Sequence, residues 1–345
     1  MVKVSVIIPN YNRAAIVGDT VENMLRQSLQ PHEVIVIDDG STDDSVKVLE
    51  AFGDRITLIQ QQNKGPGAAR NIGLERVTGT FVQLMDSDDI ASLNKLETQA
   101  EALVNEDADI AYSPWAKVFI NSDAVQMENT VLQQKELPDR YSPIEYYLSG
   151  WSVVLQQCLL RASFIKKVGL YRTDMWTCDD SDFFFRMLLR KPKISFSEDS
   201  LTLYRLDDYG KVTGSGATNL RRVEDWGQFL LSVFCQSKQC PLVYSATLRP
   251  QFLTNVWKTI QQLEEMGSTN RSLIQILRQY LQSNSTKIPL QVRSRVSEIA
   301  KGIQYRVAGH RWSACYQAAP LTHYQQTLIE DLGLKLTTRS PTALR

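Results

Sequence analysis

Asp86-Ser87-Asp88-Asp89 places three carboxylates within four residues, directly after the apolar run Thr80–Met85. Clustered carboxylates repel one another, and desolvating them costs free energy unless a cation or a hydrogen-bond donor compensates. A hard divalent metal arriving with a phosphate ligand is such a compensator, so the cluster points to phosphate-linked chemistry. A second acidic pair, Asp38-Asp39, ends the run Glu33–Ile37 and leads into Gly40-Ser41-Thr42-Asp43. Turn and helix-capping chemistry accounts for Gly40 to Asp43. It leaves the pair itself over, and a carboxylate there can accept from a base N–H or a ribose hydroxyl. Pro9-Asn10-Tyr11-Asn12-Arg13 adds donors and an aromatic stacking face. In Gly65-Pro66-Gly67-Ala68-Ala69-Arg70-Asn71 two glycines flank a proline, so the backbone can approach a ligand closely before entering a helix that carries Arg70 one turn in. Last, Cys178-Asp179-Asp180-Ser181-Asp182 opens a helical pattern. Carboxylates there suit the positive helix end as caps, and can also project into a cleft. Asp182 and Arg186 are spaced as an i,i+4 pair.

Strands and helices must alternate to bring these groups together. Val4–Ile8, Glu33–Ile37, Arg55–Gln60 and Thr80–Met85 read as strands, and Ala14–Gln27, Thr42–Phe52, Pro66–Arg76 and Ser92–Val104 as helices. This rhythm predicts an α/β fold with a mostly parallel sheet covered on both faces. Ligands of such sheets bind at the carboxyl ends of the strands, where the polar clusters stand. From Asp109 to Arg205 the rhythm weakens to short strands and one clear helix, Ser181–Arg190, expected to complete the sheet and the far wall of a cleft. Beyond Gly216 helices dominate: Asn219–Phe234, Tyr244–Met266, Ser272–Ser283 and Gln291–Val307. The last pairs an apolar stripe (Val292, Val296, Ile299, Ile303, Val307) with Arg293, Arg295, Lys301 and Arg306, a pattern shared by helix-packing and lipid-facing helices. The expected division is an α/β unit over 1–216, a helical region over 217–336 and a disordered tail over 337–345.

Composition narrows the partners. Thirty-eight basic residues balance thirty-eight acidic ones, which gives no electrostatic reason to expect nucleic acid. Neither G-x-x-x-x-G-K-[ST] nor an early G-x-G-x-x-G occurs, so triphosphatase and dinucleotide-fold readings lose their support. No apolar run approaches a membrane span, and the start lacks the features of a signal peptide. The five cysteines are scattered without a C-x-x-C pair, as expected of free thiols in a reducing compartment. The expectation is a cytoplasmic protein, with peripheral contact to a membrane left open.

Taken together, Val4–Asn12, Val36–Asp43, Gly67–Asn71 and Asp86–Asp89, in that order and spacing, resemble the family 2 inverting glycosyltransferases of GT-A fold, whose core is Rossmann-like; Cys178–Phe183 is similar to that family's Glu-Asp-x-x-Phe base motif. The resemblance spans about residues 2–210. It implies that Pro9, Tyr11 and Asp39 line a nucleoside pocket, with Asp39 accepting from uracil. Arg70 would help hold the base and phosphate end, and Asp86 would lie near the ribose. Asp88 would be the protein ligand of Mg²⁺ or Mn²⁺, Asp180 the general base, and Asp179 and Asp89 supporting residues. The implied reaction moves a sugar from a nucleotide-diphosphate donor, a UDP-sugar foremost, to a hydroxyl of a glycan, lipid-linked or other acceptor by one displacement. A silent nucleotide-sugar or glycan-binding module is the alternative, and a binder has no use for a base. Two positions depart from the pattern: Asp179 replaces Glu, and Leu206-Asp207-Asp208 stands where relatives often carry a metal-binding His, leaving Asp207 as a substitute oxygen ligand. Without a Q-x-x-R-W motif the expectation is non-processive transfer. Trp115, Trp151 and Trp176 can each stack on a sugar or pack in the core.

Overall fold

The computed structural model describes residues 2–121, 124–127, 136–137, 142–148, 153–206, 220–236, 249–284 and 320–337. Asp207, Trp151, the helix expected over 291–307 and nearly all of the tail expected over 337–345 lie outside them.

Seven strands form the main sheet in the order β10-β6-β9-β4-β1-β2-β3. They are β1 (Val4–Asn10), β2 (Glu33–Asp38), β3 (Thr57–Gln60), β4 (Phe81–Leu84), β6 (Ile110–Tyr112), β9 (Cys158–Arg161) and β10 (Ile194–Phe196). The first four pair in parallel, as do β6 and β10, while β9 runs antiparallel to both β4 and β6. Strands β1 and β2 are buried on both faces, and the period-two geometry of a strand sorts their side chains accordingly. Ile7, Ile35, Ile37, Val82 and Leu84 enter one core, and Val4, Val6, Ile8, Val34, Val36 and Phe81 the other.

Helices α1 (Val17–Leu25) and α4 (Lys95–Asn105) cover the second face; α3 (Pro66–Leu74) and α7 (Asp179–Leu189) cover the first, with α5 (Pro143–Leu148) and α6 (Ala162–Val168) packed against α7. Helix α2 (Ser45–Glu50) begins three residues later than its apolar pattern suggests, because Asp43 accepts from the Ser45 N–H at 3.0 Å and holds the preceding residues in a turn. The core under α3 and α7 runs without a break into α8 (Leu220–Gln236), α9 (Arg249–Glu265) and α10 (Arg271–Asn284), through Val223, Phe229, Leu253 and Leu273. Phe183, Phe184 and Phe185 of α7 are all buried in it, and each contributes roughly 1.5–3 kcal/mol relative to exposure.

A second sheet, β12-β8-β7-β11-β5, lies beside the acidic cluster. Its strands are β5 (Ile90–Ala91), β7 (Trp115–Asn121), β8 (Ala124–Met127), β11 (Thr202–Arg205) and β12 (Lys335–Thr337). Two were not expected from sequence: β5 is only two residues long, and β12 lies among residues with helical character, next to α11 (His323–Glu330). Among the described residues no helix is long and apolar enough to cross a membrane.

Candidate active site

Strands β1, β2 and β4 end at one rim of the main sheet, and a cavity of about 400 Å³ opens there. Pro9, Tyr11, Asp39, Arg70, Asp86, Asp88, Asp179 and Asp180 all line it. Asp89 does not; it is fully buried behind the cluster.

The two aspartates after β2 do different work. Asp38 is buried and accepts from Asn10 Nδ2 at 2.9 Å, Ser41 N at 2.9 Å and Ser41 Oγ at 2.6 Å, tying the β1 and β2 loops together. Asp39 turns to the cavity but also holds the loop after β3, accepting from Gln61 Nε2 at 2.7 Å, Lys64 N at 2.8 Å and Gly65 N at 2.8 Å. An ionised carboxylate has about four acceptor positions, so room for one more donor remains on Oδ2. Burial still raises Asp39 above the ordinary carboxylate range despite these bonds. Tyr11, 41% exposed at the cavity mouth, presents an uncovered ring.

Gly65 has φ +91°, and a Cβ there would stand 3.0 Å from the Trp176 ring. The positive φ and the close approach both require glycine at this point. Arg221 places its guanidinium 4.0 Å from the centroid of the same ring. Trp176 therefore serves as a wall packed against Gly65 and Arg221. Trp115 is buried in the structure at 8% exposure.

Arg70 is the electrostatic centre. Its Nη1 lies 2.8 Å from Asp179 and its Nη2 2.7 Å from Asp86 and 3.6 Å from Asp180. Burial opposes its charge, but Asp180, Asp86 and Asp179 together outweigh that and keep the guanidinium protonated. Both terminal nitrogens of Arg70 thus face carboxylates, whose charge it balances. One cation facing three carboxylates leaves an excess of negative charge. Burial, and next the Asp180 carboxylate, push Asp179 up to about 8.

Asp179 and Asp180 are the first two residues of α7, with Cys178 at the cap position and no side-chain cap bond. They stand in the first turn, where carboxylates suit the positive helix end, and also line the cavity. The expected Asp182–Arg186 pair is present at 2.7 Å. Asp180 is raised above its ordinary value, chiefly by burial, with Arg70 opposing and Asp86 adding to the rise. Its Oδ1 is buried and makes no hydrogen bond among the described residues. The Tyr171 hydroxyl sits beside Asp180 short of hydrogen-bond geometry, on a ring stacked 4.0 Å from Phe183 and beneath the Arg70 guanidinium. No sequence motif marks Tyr171. Asn71 fixes it by a reciprocal pair of backbone bonds at 2.7 and 2.9 Å across 100 residues, which only the fold reveals.

Asp86, Asp88 and Asp89 each offer a carboxylate oxygen within 4.8 Å of the others. Asp89 is spent on Arg205 N at 2.8 Å and Gln156 Nε2 at 2.7 Å, and burial followed by Asp88 and Asp86 pushes its pKa well up. Asp86 is held by Arg70. Asp88 lines the cavity and pairs with Arg13, whose Nε lies 3.5 Å away. Hard oxygen donors in an under-compensated acidic cluster fit a cation of the Mg²⁺ or Mn²⁺ type.

A mostly parallel sheet with helices on both faces, a second small sheet and an acidic cluster after β4 define a GT-A type glycosyltransferase fold. The profile of the Glycosyl transferase family 2 matches residues 5–192, and the chain belongs to that family. It is 28% identical over 215 residues to the glycosyltransferase GlyG of Streptococcus pneumoniae, covering 59% of this chain and 70% of that protein. Among solved structures it is similar to residues 1–349 of S. aureus TarS in complex with UDP-GlcNAc (TM-score 0.55, 21% identity, covering 89% of this chain and 92% of that one). It is also similar to the mannosyltransferase PcManGT of Pyrobaculum calidifontis in complex with GDP-Man and Mn²⁺ (TM-score 0.53, 15% identity, covering 96% and 85%). At these identities the structural likeness concerns the fold.

Proposed function

We propose that this glycosyltransferase is a non-processive, inverting enzyme that moves a sugar from a nucleotide-diphosphate donor, a UDP-sugar foremost, to an acceptor hydroxyl, with Asp180 as the general base. The observation that carries the reading is the Asp180 carboxyl: raised in pKa and with an Oδ1 that makes no hydrogen bond among the described residues, it stands at the cavity that also holds Tyr11, Asp39 and Asp88. The donors bound in the TarS and PcManGT structures, UDP-GlcNAc and GDP-Man, support the class of substrate.

On this reading Tyr11 stacks on the nucleobase and Asp39 accepts one base N–H on Oδ2. Asp88 would hold the divalent ion, which when bound would neutralise charge on the diphosphate. Asp180 takes the acceptor proton as the acceptor oxygen attacks the anomeric carbon and the diphosphate leaves from the opposite face. Arg70 keeps Asp180 ionisable by balancing Asp86 and Asp179. The acceptor is a glycan, a lipid-linked sugar or another hydroxyl compound, and a cytoplasmic, membrane-peripheral setting is part of the same proposal.

Calorimetric titration of UDP with Mn²⁺ or Mg²⁺ tests the nucleotide side. Binding that requires the metal and is lost in Asp88→Ala is expected. UDP binding that ignores both the metal and Asp88 contradicts the metal assignment, and no binding of UDP or GDP contradicts the donor class.

A further inference from the structure

Polar residues on the buried face of a helix need partners, and α8 carries two. Asp225 is 3% exposed and Ser232 9%, within a face otherwise made of Val223, Phe229, Leu230 and Val233. A single oxygen of Asp225, Oδ2, accepts from Trp176 N, Thr177 N and Thr177 Oγ1, each at 2.9 Å. Ser232 Oγ donates to Asp182 Oδ1 at 2.8 Å. Arg221, one turn before Asp225, lies over the Trp176 ring. Spacings of four and seven put residues 221, 225 and 232 on one side of a helix, so a single stripe of α8 grips the entry and first turn of α7.

That entry is where the base is aimed. Cys178 supplies no side-chain cap, and Asp179 and Asp180 follow at once. Their approach to Arg70 depends on how residues 176–178 leave the preceding loop. Charge-assisted hydrogen bonds donated by consecutive backbone N–H groups to a buried carboxylate are among the stronger fixings available.

We propose that Asp225 is a positioning residue for the reaction: from the helical region it sets the start of α7, and so the aim of Asp180. This rests on Asp180 being the base. It gives the C-terminal helices a part in turnover through α7, with no contact between Asp225 and substrate.

The test uses the full chain and the UDP- or GDP-sugar that the wild-type protein hydrolyses fastest. In Asp225→Ala kcat is expected to fall by about 10²-fold, the scale of a misplaced reacting group, with nucleotide affinity and donor KM unchanged. Asp225→Asn, which keeps an acceptor oxygen, is expected to recover part of the loss. Amide hydrogen exchange of Trp176 and Thr177 should quicken in Asp225→Ala while the core of α7 stays protected. If that variant fails to fold, Thr177→Val removes one of the three bonds and is expected to lower kcat alone. Wild-type kcat, unchanged exchange at 176–177, or parallel loss of nucleotide binding overturns the proposal. Asp180→Asn run beside it separates the two readings: an active Asp180→Asn removes the base assignment itself. An inactive one beside a fully active Asp225→Ala removes only the positioning role.

Discussion

Asp39 and Asp180 face one cavity but are held in contrasting ways. The three donors on Asp39 come from within 26 residues of it, on the loop that follows the next strand. The Asp180 end of the cleft is assembled from afar, with Arg70 reaching Asp179 across 109 residues. The nearer side is nearly saturated with hydrogen bonds, whereas the farther one leaves Asp180 Oδ1 unbonded among the described residues and sets one guanidinium against three carboxylates. A recognition surface gains from being satisfied before its ligand arrives. A base has to keep acceptor capacity, and the stability cost of that is carried by the surrounding packing.

Arg70 is the one cation paired with Asp86, Asp179 and Asp180 among the described residues, so removing it should have the largest effect. Arg70→Ala leaves buried carboxylates without their cation, and a loss of about 3–5 kcal/mol in urea unfolding is expected. A loss inside experimental error would mean that Asp86 and Asp179 find other compensation. Gly65→Ala acts where the loop on the Asp39 side meets Trp176 on the other. A left-handed φ and the ring at 3.0 Å predict a loss of about 1–3 kcal/mol by the same measurement. Unchanged stability would show that the two walls can part at no cost.

Asp179→Asn sharpens the contrast most finely, because its signature is a slope. Asp179 is raised to about 8 by burial and by Asp180, so the native protein holds a proton that the unfolded chain releases. That stabilisation is fully present below the ordinary carboxylate range, and is lost as pH rises through about 8. Thermal unfolding from pH 5 to pH 9 should show a declining contribution in the wild type that is absent in Asp179→Asn. Parallel curves would mean that Arg70 holds Asp179 ionised throughout.

Legibility followed the same divide. The strand ends that carry Pro9, Tyr11, Asp39 and Asp88 could be read from apolar runs stopped by polar turns, because each run and its turn are contiguous. What Arg70 binds could not be read, since its partners Asp86 and Asp179 are set by how α3 packs on β1, β2 and α7. Tyr171 and Gln156 carry no motif at all; their roles come from the atoms the fold sets beside them. Asp225 left only the trace of a carboxylate on an otherwise apolar helix face. The strand β12 escaped because three residues carry too short a period to tell from a helix end.

The most direct measurement is Asp180→Asn, assayed for nucleotide-sugar turnover and, on the same sample, for metal-dependent nucleotide binding. Loss of general-base assistance predicts a fall in kcat of about 10²–10⁴-fold with nucleotide affinity preserved. The wild-type rate should fall on the acid side with a pKa above that of an ordinary aspartate, since burial raises Asp180 and only its ionised form can take the proton. Turnover at the wild-type rate in Asp180→Asn would contradict the account, whatever the nucleotide does.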